Sequence, residues 1–534
     1  MNPETTAAAT TAPHWRRGRF SRLIFATDHK VVGGLWLSVG GVGIVLGGIL
    51  ALLSALQTAR PDAGVLGQGM YASVITVQGT LLTYGGILPL ALGLAVFIAP
   101  LQLGARGLAL PDLSAAAFWL GLAGVATVVL STFGEGDSPR STWTSAPVGV
   151  IRGSSSENAR LIGLILIGLA TFLTAVALVA TFRGPRVAEM TNERLPLVAQ
   201  SVGIFAMALL VLAPLALLGN TLVLLASKNP GSFDWYIDSD GRIVHGYEWV
   251  FSQAIIVIVL VPAIGVAAEI VATFHRRPLG SRRLVTLALV ATAVLIGLVP
   301  STDAVNQYRW ASVLALIATL PVAAAAMALL VDGLRATRAS GRAIPLLFVL
   351  GSLVLALGAT LASVVLVVAH DDLHGTTFES ARLDLVWTAV LLALLGGAVY
   401  WWPKLTGRML EGRIVKVSAY VLFCSSLVLA IGRAISGWND QPGGVGVTIE
   451  EARAGSLIGS LGVLGIGCGI LLFGIAKLRA RTGRRVGNDP WLADTLEWYT
   501  TSPPPPHNFD SVPVVTSARP VSDLRRTLKD LNAL

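Results

Sequence analysis

Charge, cysteine and histidine are all scarce in this chain of 534 residues, and each scarcity excludes something. Only 13% of the residues are charged, against roughly 25% in an ordinary soluble domain. Together with 54% hydrophobic residues and a mean hydropathy of +0.71, this excludes a soluble cytosolic protein, whose core could not hide so much apolar surface. The two cysteines, Cys424 and Cys468, lie inside apolar runs, which excludes a disulfide framework and a thiolate zinc site. No Gly-rich phosphate cradle opens a soluble helix and no nucleophile elbow is present, so the 57 glycines serve packing. The first ~25 residues carry no apolar core before a small-residue cleavage site, and no removable signal peptide is expected.

What is abundant is apolar runs of membrane-spanning length, about 20 residues each. They fall near 31–56, 71–99, 115–132, 159–182, 196–226, 247–274, 281–300, 308–334, 343–369, 383–402, 414–437 and 454–478. The fold class expected is an all-α polytopic membrane protein of twelve transmembrane helices. It comprises an N-terminal segment (1–30), the membrane domain (31–478) and a Pro-rich tail (479–534). Basic residues collect before the first helix and in every second connection: Arg183 and Arg186; Arg276, Arg277, Arg282 and Arg283; Arg335, Arg338 and Arg342; Lys404, Arg408 and Arg413. The alternate connections hold the acidic residues, among them Asp62, Asp303, Asp371, Asp372 and Glu450. By the positive-inside bias both termini are cytoplasmic, in what reads as a bacterial inner membrane. The net charge of +9 then follows from topology, and nucleic acid is not expected as a partner. The run Ser502–Pro506 either packs along the cytoplasmic face or is mobile.

Several stretches carry a resemblance that covers nearly the whole chain. They are Thr27-Asp28-His29-Lys30, Pro100-Leu101-Gln102-Leu103-Gly104-Ala105-Arg106, Trp401-Trp402-Pro403-Lys404-Leu405-Thr406-Gly407-Arg408-Met409-Leu410, and the tail sequence from Gly487 through Trp498, followed by Ser502–Pro506 and Asn508-Phe509. In this order they resemble subunit I of the heme-copper oxidases, the cytochrome c oxidase catalytic subunit, type A branch. The resemblance implies a twelve-helix bundle and, for an active member, two hemes and a copper held by six imidazoles.

The seven histidines do not supply those imidazoles. His14 and His507 lie in the terminal segments, His29 and His275 at helix ends, and His245, His370 and His374 at or in connections; none is in the middle of a span. Where the family has its second-helix His-Gly, this chain has Gln78-Gly79. The sixth-helix Gly-His-Pro-Glu-Val-Tyr is matched by Ser252-Gln253-Ala254-Ile255-Ile256-Val257. The copper-binding pair of the seventh helix falls near Ile296-Gly297, and the His-Phe-His of the tenth within Ala381 to Asp384. The family's proton-path residues match Ala325, Gly107 and Val96, and its propionate-holding arginines fall around Pro442-Gly443-Gly444.

The remaining sites each have two readings. Gln78 and Gln253 either hydrogen-bond a retained ligand such as a quinone or lipid or satisfy neighbouring groups in a filled cavity. Arg382 and Asp384 either pair with one another, or Arg382 stays among headgroups while Asp384 faces a cavity. His374, in Leu373-His374-Gly375-Thr376-Thr377-Phe378, matches a residue that helps the family hold magnesium; Gly375 replaces the companion aspartate, and Asp371 and Asp372 are the substitutes at hand. That stretch is either a residual outer-face divalent-cation site or an exposed polar loop.

The expectation is therefore a heme-free, copper-free, catalytically inactive paralogue, serving as a scaffold in a respiratory complex. Its expected partners are lipids and oxidase subunit II- or III-like chains, or a second subunit I-like chain. Two alternatives stand beside it: an active terminal oxidase with atypical ligands, for which Met207, Met327 and the two cysteines are the intramembrane sulfur candidates, and quinone, lipid or solute binding in the vacated pockets.

Overall fold

The computed structural model describes residues 25–60, 65–133, 154–184, 186–187, 189–229, 255–299, 305, 308–340, 343–443 and 448–532. Among them the architecture is all helical, with two isolated bridges, Thr376 with Pro442 and Arg408 with Arg485, as the sole β-type pairings. In chain order the helices are α1 (His29–Ala59), α2 (a composite of Gln68–Thr80, a π-helical Leu81–Ile87 and Leu88–Leu103), α3 (Pro111–Ser131), α4 (Ser155–Arg183), α5 (Leu197–Lys228), α6 (Ile255–His275), α7 (Arg282–Leu295), α8 (Arg309–Ser340), α9 (Ile344–Val368), α10 (Thr377–Thr406), α11 (Arg413–Trp438), α12 (Arg453–Ala480) and, in the tail, α13 (Pro520–Asn532).

Eleven of these helices are long and apolar enough to cross a membrane. The twelfth expected span is α7, which has 14 residues. At 1.5 Å per residue it covers about 21 Å, short of a bilayer core of about 30 Å. A 3₁₀ turn, Ile296–Leu298, continues it.

Burial ranks the helices. Of the most apolar stretch of each, 89% of residues are buried in α6, 83% in α2 and 78% in α10, against 22% in α12 and 28% in α8. A helix that is apolar all round belongs either in the centre of a bundle or against lipid, and α2, α6 and α10 form the centre. Small residues bring helices close: a Cβ on Gly43 of α1 would lie 2.0 Å from the Gly85 carbonyl oxygen in the π segment of α2. Such contact is one source of helix association where lipid removes the hydrophobic drive.

Two of the family-like motifs are helix ends. Gly104 (φ 67°) and Gly407 (φ 69°) are left-handed caps of α2 and α10, a conformation that glycine adopts without a Cβ penalty. Asp28 caps α1 by accepting from the Lys30 amide at 2.9 Å. Both features place charged and amide side chains at the basic end of the bundle, where the tail lies.

Candidate functional site

The positions matched to metal ligands are occupied in ways that tie them to the chain itself. Gln78 is half-buried on α2, and its Oε1 accepts from Ser54 Oγ of α1 at 3.0 Å. Gln253 and His245 lie outside the described residues. Ile296 and Gly297 form the turn that ends α7, the first buried and the second exposed. Ala325 is fully buried in α8. Val96 supplies a carbonyl 3.2 Å from His29 Nδ1, and Gly107 lies beside the same imidazole. Gly443 donates its amide to Gly375 O at 2.9 Å; Gly444 lies outside the described residues.

Asp384 corrects one expectation. Its partner is neither Arg382 nor a cavity but Arg433 of α11, at 3.0 Å. Residues two apart on a helix point to different sides, so Arg382 and Asp384 diverge. Arg382 is 8% exposed.

The outer-face reading of His374 is also revised. It is half-buried rather than an exposed loop residue, with Nε2 3.1 Å from Ser312 Oγ and its ring 4.4 Å from that of His370. Burial, with help from the neighbouring His370 and the Arg382 cation, lowers its pKa to about 4, so the imidazole is neutral near pH 7. Asp371 lies 3.1 Å from His370 Nδ1 and 3.4 Å from Arg309, and Asp372 is exposed. Among the described residues no group of three or more His, Cys, Asp or Glu side chains gathers to hold a metal.

Among the described residues, side chains fill the space between the central helices. Val96, Ile98, Val266, Ala267, Val390 and Ala393 are all at or below 1% exposed. Two small cavities among the described residues, one beside Tyr84, Thr171 and Asn220 and one beside Phe97, Gly397 and Trp401, hold about 30 Å³ each, room for about two waters.

A dense buried polar cluster among the described residues lies elsewhere, where residues 487–509 meet the basic end of the bundle. Gln102 Nε2 of α2 and Trp401 Nε1 of α10 donate to Glu497 Oε1 at 3.0 and 3.2 Å. Thr495 Oγ1 donates to Glu269 of α6 at 3.0 Å. Lys404 Nζ donates to the carbonyls of Asn488, Thr500 and Thr501 at 3.2, 2.9 and 3.3 Å and sits 5.0 Å above the Trp498 ring. Asn508 closes the clamp on α1: its Oδ1 accepts from His29 Nε2 (2.9 Å) and Lys30 Nζ (3.1 Å), while its Nδ2 donates to Ala105 O (2.8 Å). Pro506 O accepts from Lys30 Nζ at 3.1 Å, so the Pro-rich run packs rather than hangs free. Beyond it, Arg519 pairs with Asp494 at 2.6 Å and Arg525 of α13 with Asp489. Burial pushes the Glu497 carboxyl above its ordinary value, opposed by the Gln102 and Trp401 hydrogen bonds. Burial raises Asp489 also, against the pull of Arg525.

All four family-like stretches therefore meet in one intramolecular clamp. Residue-by-residue reading missed it because each charged or amide side chain looks like an ordinary helix-end residue. The available signal was that Gln102, Lys404 and Glu497 all sit inside the motifs that carry the resemblance.

The family model for cytochrome c and quinol oxidase polypeptide I matches residues 31–453. The heme-copper oxidase subunit I+III of Aeropyrum pernix is 29% identical over 530 residues, covering 92% of this chain; the chain spans 62% of that protein's length. Cytochrome c oxidase subunit 1 of Bacillus subtilis is 28% identical over 518 residues, covering 92% of this chain and 81% of the relative. Cytochrome c oxidase subunit 1 of Thermostichus vulcanus is 26% identical over 506 residues, covering 92% and 91%. With its apolar helical bundle and a match over most of its length, the chain is an integral membrane protein that belongs to the cytochrome c and quinol oxidase polypeptide I family.

Proposed function

We propose that this chain is a catalytically inactive member of its family, without heme or copper, that serves as a structural membrane subunit of a larger respiratory or electron-transfer complex. It lies in the bacterial inner membrane with the tail-bearing, Arg-rich end cytoplasmic. The observation that carries the reading is the fate of the ligand positions. Gln78 is bonded to Ser54, Ile296 and Gly297 form a turn, and Asp384 is paired with Arg433. These residues do not fit hemes and copper held by imidazoles, and among the described residues the central helices pack side chain against side chain. A substitute sulfur ligand set has no support either. Met207 and Met327 are 49% and 52% exposed, and Cys424 and Cys468 are exposed, so all four face away from the bundle interior.

The scaffold role rests on what is kept. The clamp preserves the rigid basic end, while apolar side chains on α5, α7, α8, α11 and α12 face outward to lipid or to other membrane subunits. The partners that fit are oxidase subunit II- or III-like chains or a second subunit I-like chain. Visible spectra and metal analysis of the purified chain test the proposal: no Soret band and no stoichiometric iron or copper are expected. Stoichiometric heme, or oxygen consumption with reduced cytochrome c, would overturn it.

A further inference from the structure

We propose that the basic end of the α11–α12 pair is a binding edge for the headgroup of an anionic phospholipid. Arg413 and Lys416 on α11, with Lys477, Arg479 and Arg481 at the end of α12, make no side-chain hydrogen bond or ion pair among the described residues. Elsewhere on the same end of the bundle the chain uses its cations internally. Arg186 bonds Phe182 O, Arg194 bonds Val515 O, Arg276 bonds Trp491 O and Arg282 bonds Leu195 O. The α11–α12 edge also lacks acids to meet its charge: residues 477–486 contain none, and Glu411 of the preceding connection pairs with Arg484 at 3.5 Å. Lys477 and Arg481 are one helical turn apart, the spacing at which like charges repel, so a shared anion relieves both.

The depth of these cations selects a lipid over an acidic protein. The outward apolar surface runs right up to them: exposed Leu478 follows Lys477 on α12, and exposed Val417 follows Lys416 on α11. Helix α12 has 28 residues, about 42 Å of length against a hydrocarbon core of about 30 Å. Centred on that core, its last turn stands in the headgroup layer. Aromatic groups of the kind that collect at this depth are present as well. Lys477 Nζ lies 5.8 Å from the centroid of the Trp402 ring on α10, and Tyr420 is exposed on α11. A phospholipid phosphate placed here meets several cations at once while its acyl chains lie on the apolar faces of α11 and α12. A free anion or a water-borne acidic protein uses the charge and leaves the adjoining apolar surface unmatched. The inference depends neither on the absence of heme nor on the scaffold role.

The test uses the full chain purified in alkyl maltoside and stripped of phospholipid, with the midpoint of thermal unfolding as the readout. Dioleoylphosphatidylglycerol is titrated against dioleoylphosphatidylcholine, which carries the same chains without net charge. Parallel arms add inorganic phosphate against chloride at equal ionic strength, and a soluble poly-glutamate peptide. The wild type should gain stability with phosphatidylglycerol well beyond phosphatidylcholine, and high salt should weaken the gain. In the double variant Lys477→Gln/Arg481→Gln the half-saturating phosphatidylglycerol concentration should rise roughly tenfold or more. Arg277→Gln/Arg338→Gln removes the same charge from exposed positions on the same end and should respond as the wild type does. Equal gains with the two lipids, an unchanged response in the first variant, or an equal loss in the second would overturn the proposal. A gain from phosphate or from the peptide as large as that from phosphatidylglycerol would overturn it too, by assigning the edge to a water-borne anion. Should the first double variant not fold, Arg481→Gln alone, at an exposed residue, must weaken the lipid response.

Discussion

At the scale of single residues, the informative groups are polar side chains buried in an apolar frame. Glu497 is fully buried, and its carboxyl sits above the ordinary value of 4.5, chiefly through burial. A carboxyl raised in the folded state favours folding most at pH below that ordinary value and loses the contribution as pH rises through its folded value. The thermal stability of the wild type should therefore fall from pH 4.5 upward, and Glu497→Gln should flatten that slope while keeping the bonds from Gln102 and Trp401 or their equivalents. A profile as steep in the variant would assign the slope to other groups. The Asp384–Arg433 pair makes a second prediction. Arg433→Met leaves a carboxylate in the bundle and should cost about 1–3 kcal/mol, less than a fully buried pair because Arg433 is one-third exposed. Asp384→Asn should cost less, and chemical denaturation of both single variants and the double variant measures the coupling. Asp384 was visible in the sequence as a charge needing a partner, but the partner was not: Arg433 lies 49 residues on and becomes a neighbour only when α10 and α11 pack.

Helices were legible to the extent that length and hydropathy decide them. The eleven long spans stand where the apolar runs fall, because lipid demands that each crossing satisfy its own backbone. The shortness of α7 was hidden, since the apolar run continues to Val299 while the helix gives way to a 3₁₀ turn at Ile296. The π segment of α2 was hidden for a different reason: its Gly85 and Gly86 read as ordinary packing glycines, yet they present backbone to Gly43 on α1. Gly43→Ala should push the two helices apart and lower stability by about 1–3 kcal/mol. Gly48→Ala, with nothing within 4 Å of the added Cβ, should be neutral or mildly stabilising. Comparative thermal unfolding of the two variants checks whether the α1–α2 contact is as tight as described.

Over the whole molecule, the candidate site lay partly in view. The missing histidines could be read directly, because a ligand is identified by residue type, whereas what replaced each one depends on packing that no local pattern encodes. Gln78 found Ser54, and His374 found Ser312, both across helix boundaries. The clamp is where the fold commits most. Trp498 is 1% exposed at its centre, and Trp498→Ala should cost about 3–5 kcal/mol, accompanied by faster proteolysis of residues 487–532 than of the helices. Cleavage first inside the bundle would argue that the tail is not held as described.

Synthesis runs from the first residue to the last, so α1, α2, α6 and α10 all emerge before the segment that satisfies His29, Gln102, Glu269 and Lys404. Until that segment arrives, one rim of the newborn bundle exposes an imidazole, an amide, a carboxyl and an ammonium that have yet to meet their tail partners. Closing that rim is thus a completion signal written into the chain. A polypeptide interrupted before residues 487–509 would be distinguishable, to a protease or chaperone surveying the membrane surface, from one that carries them.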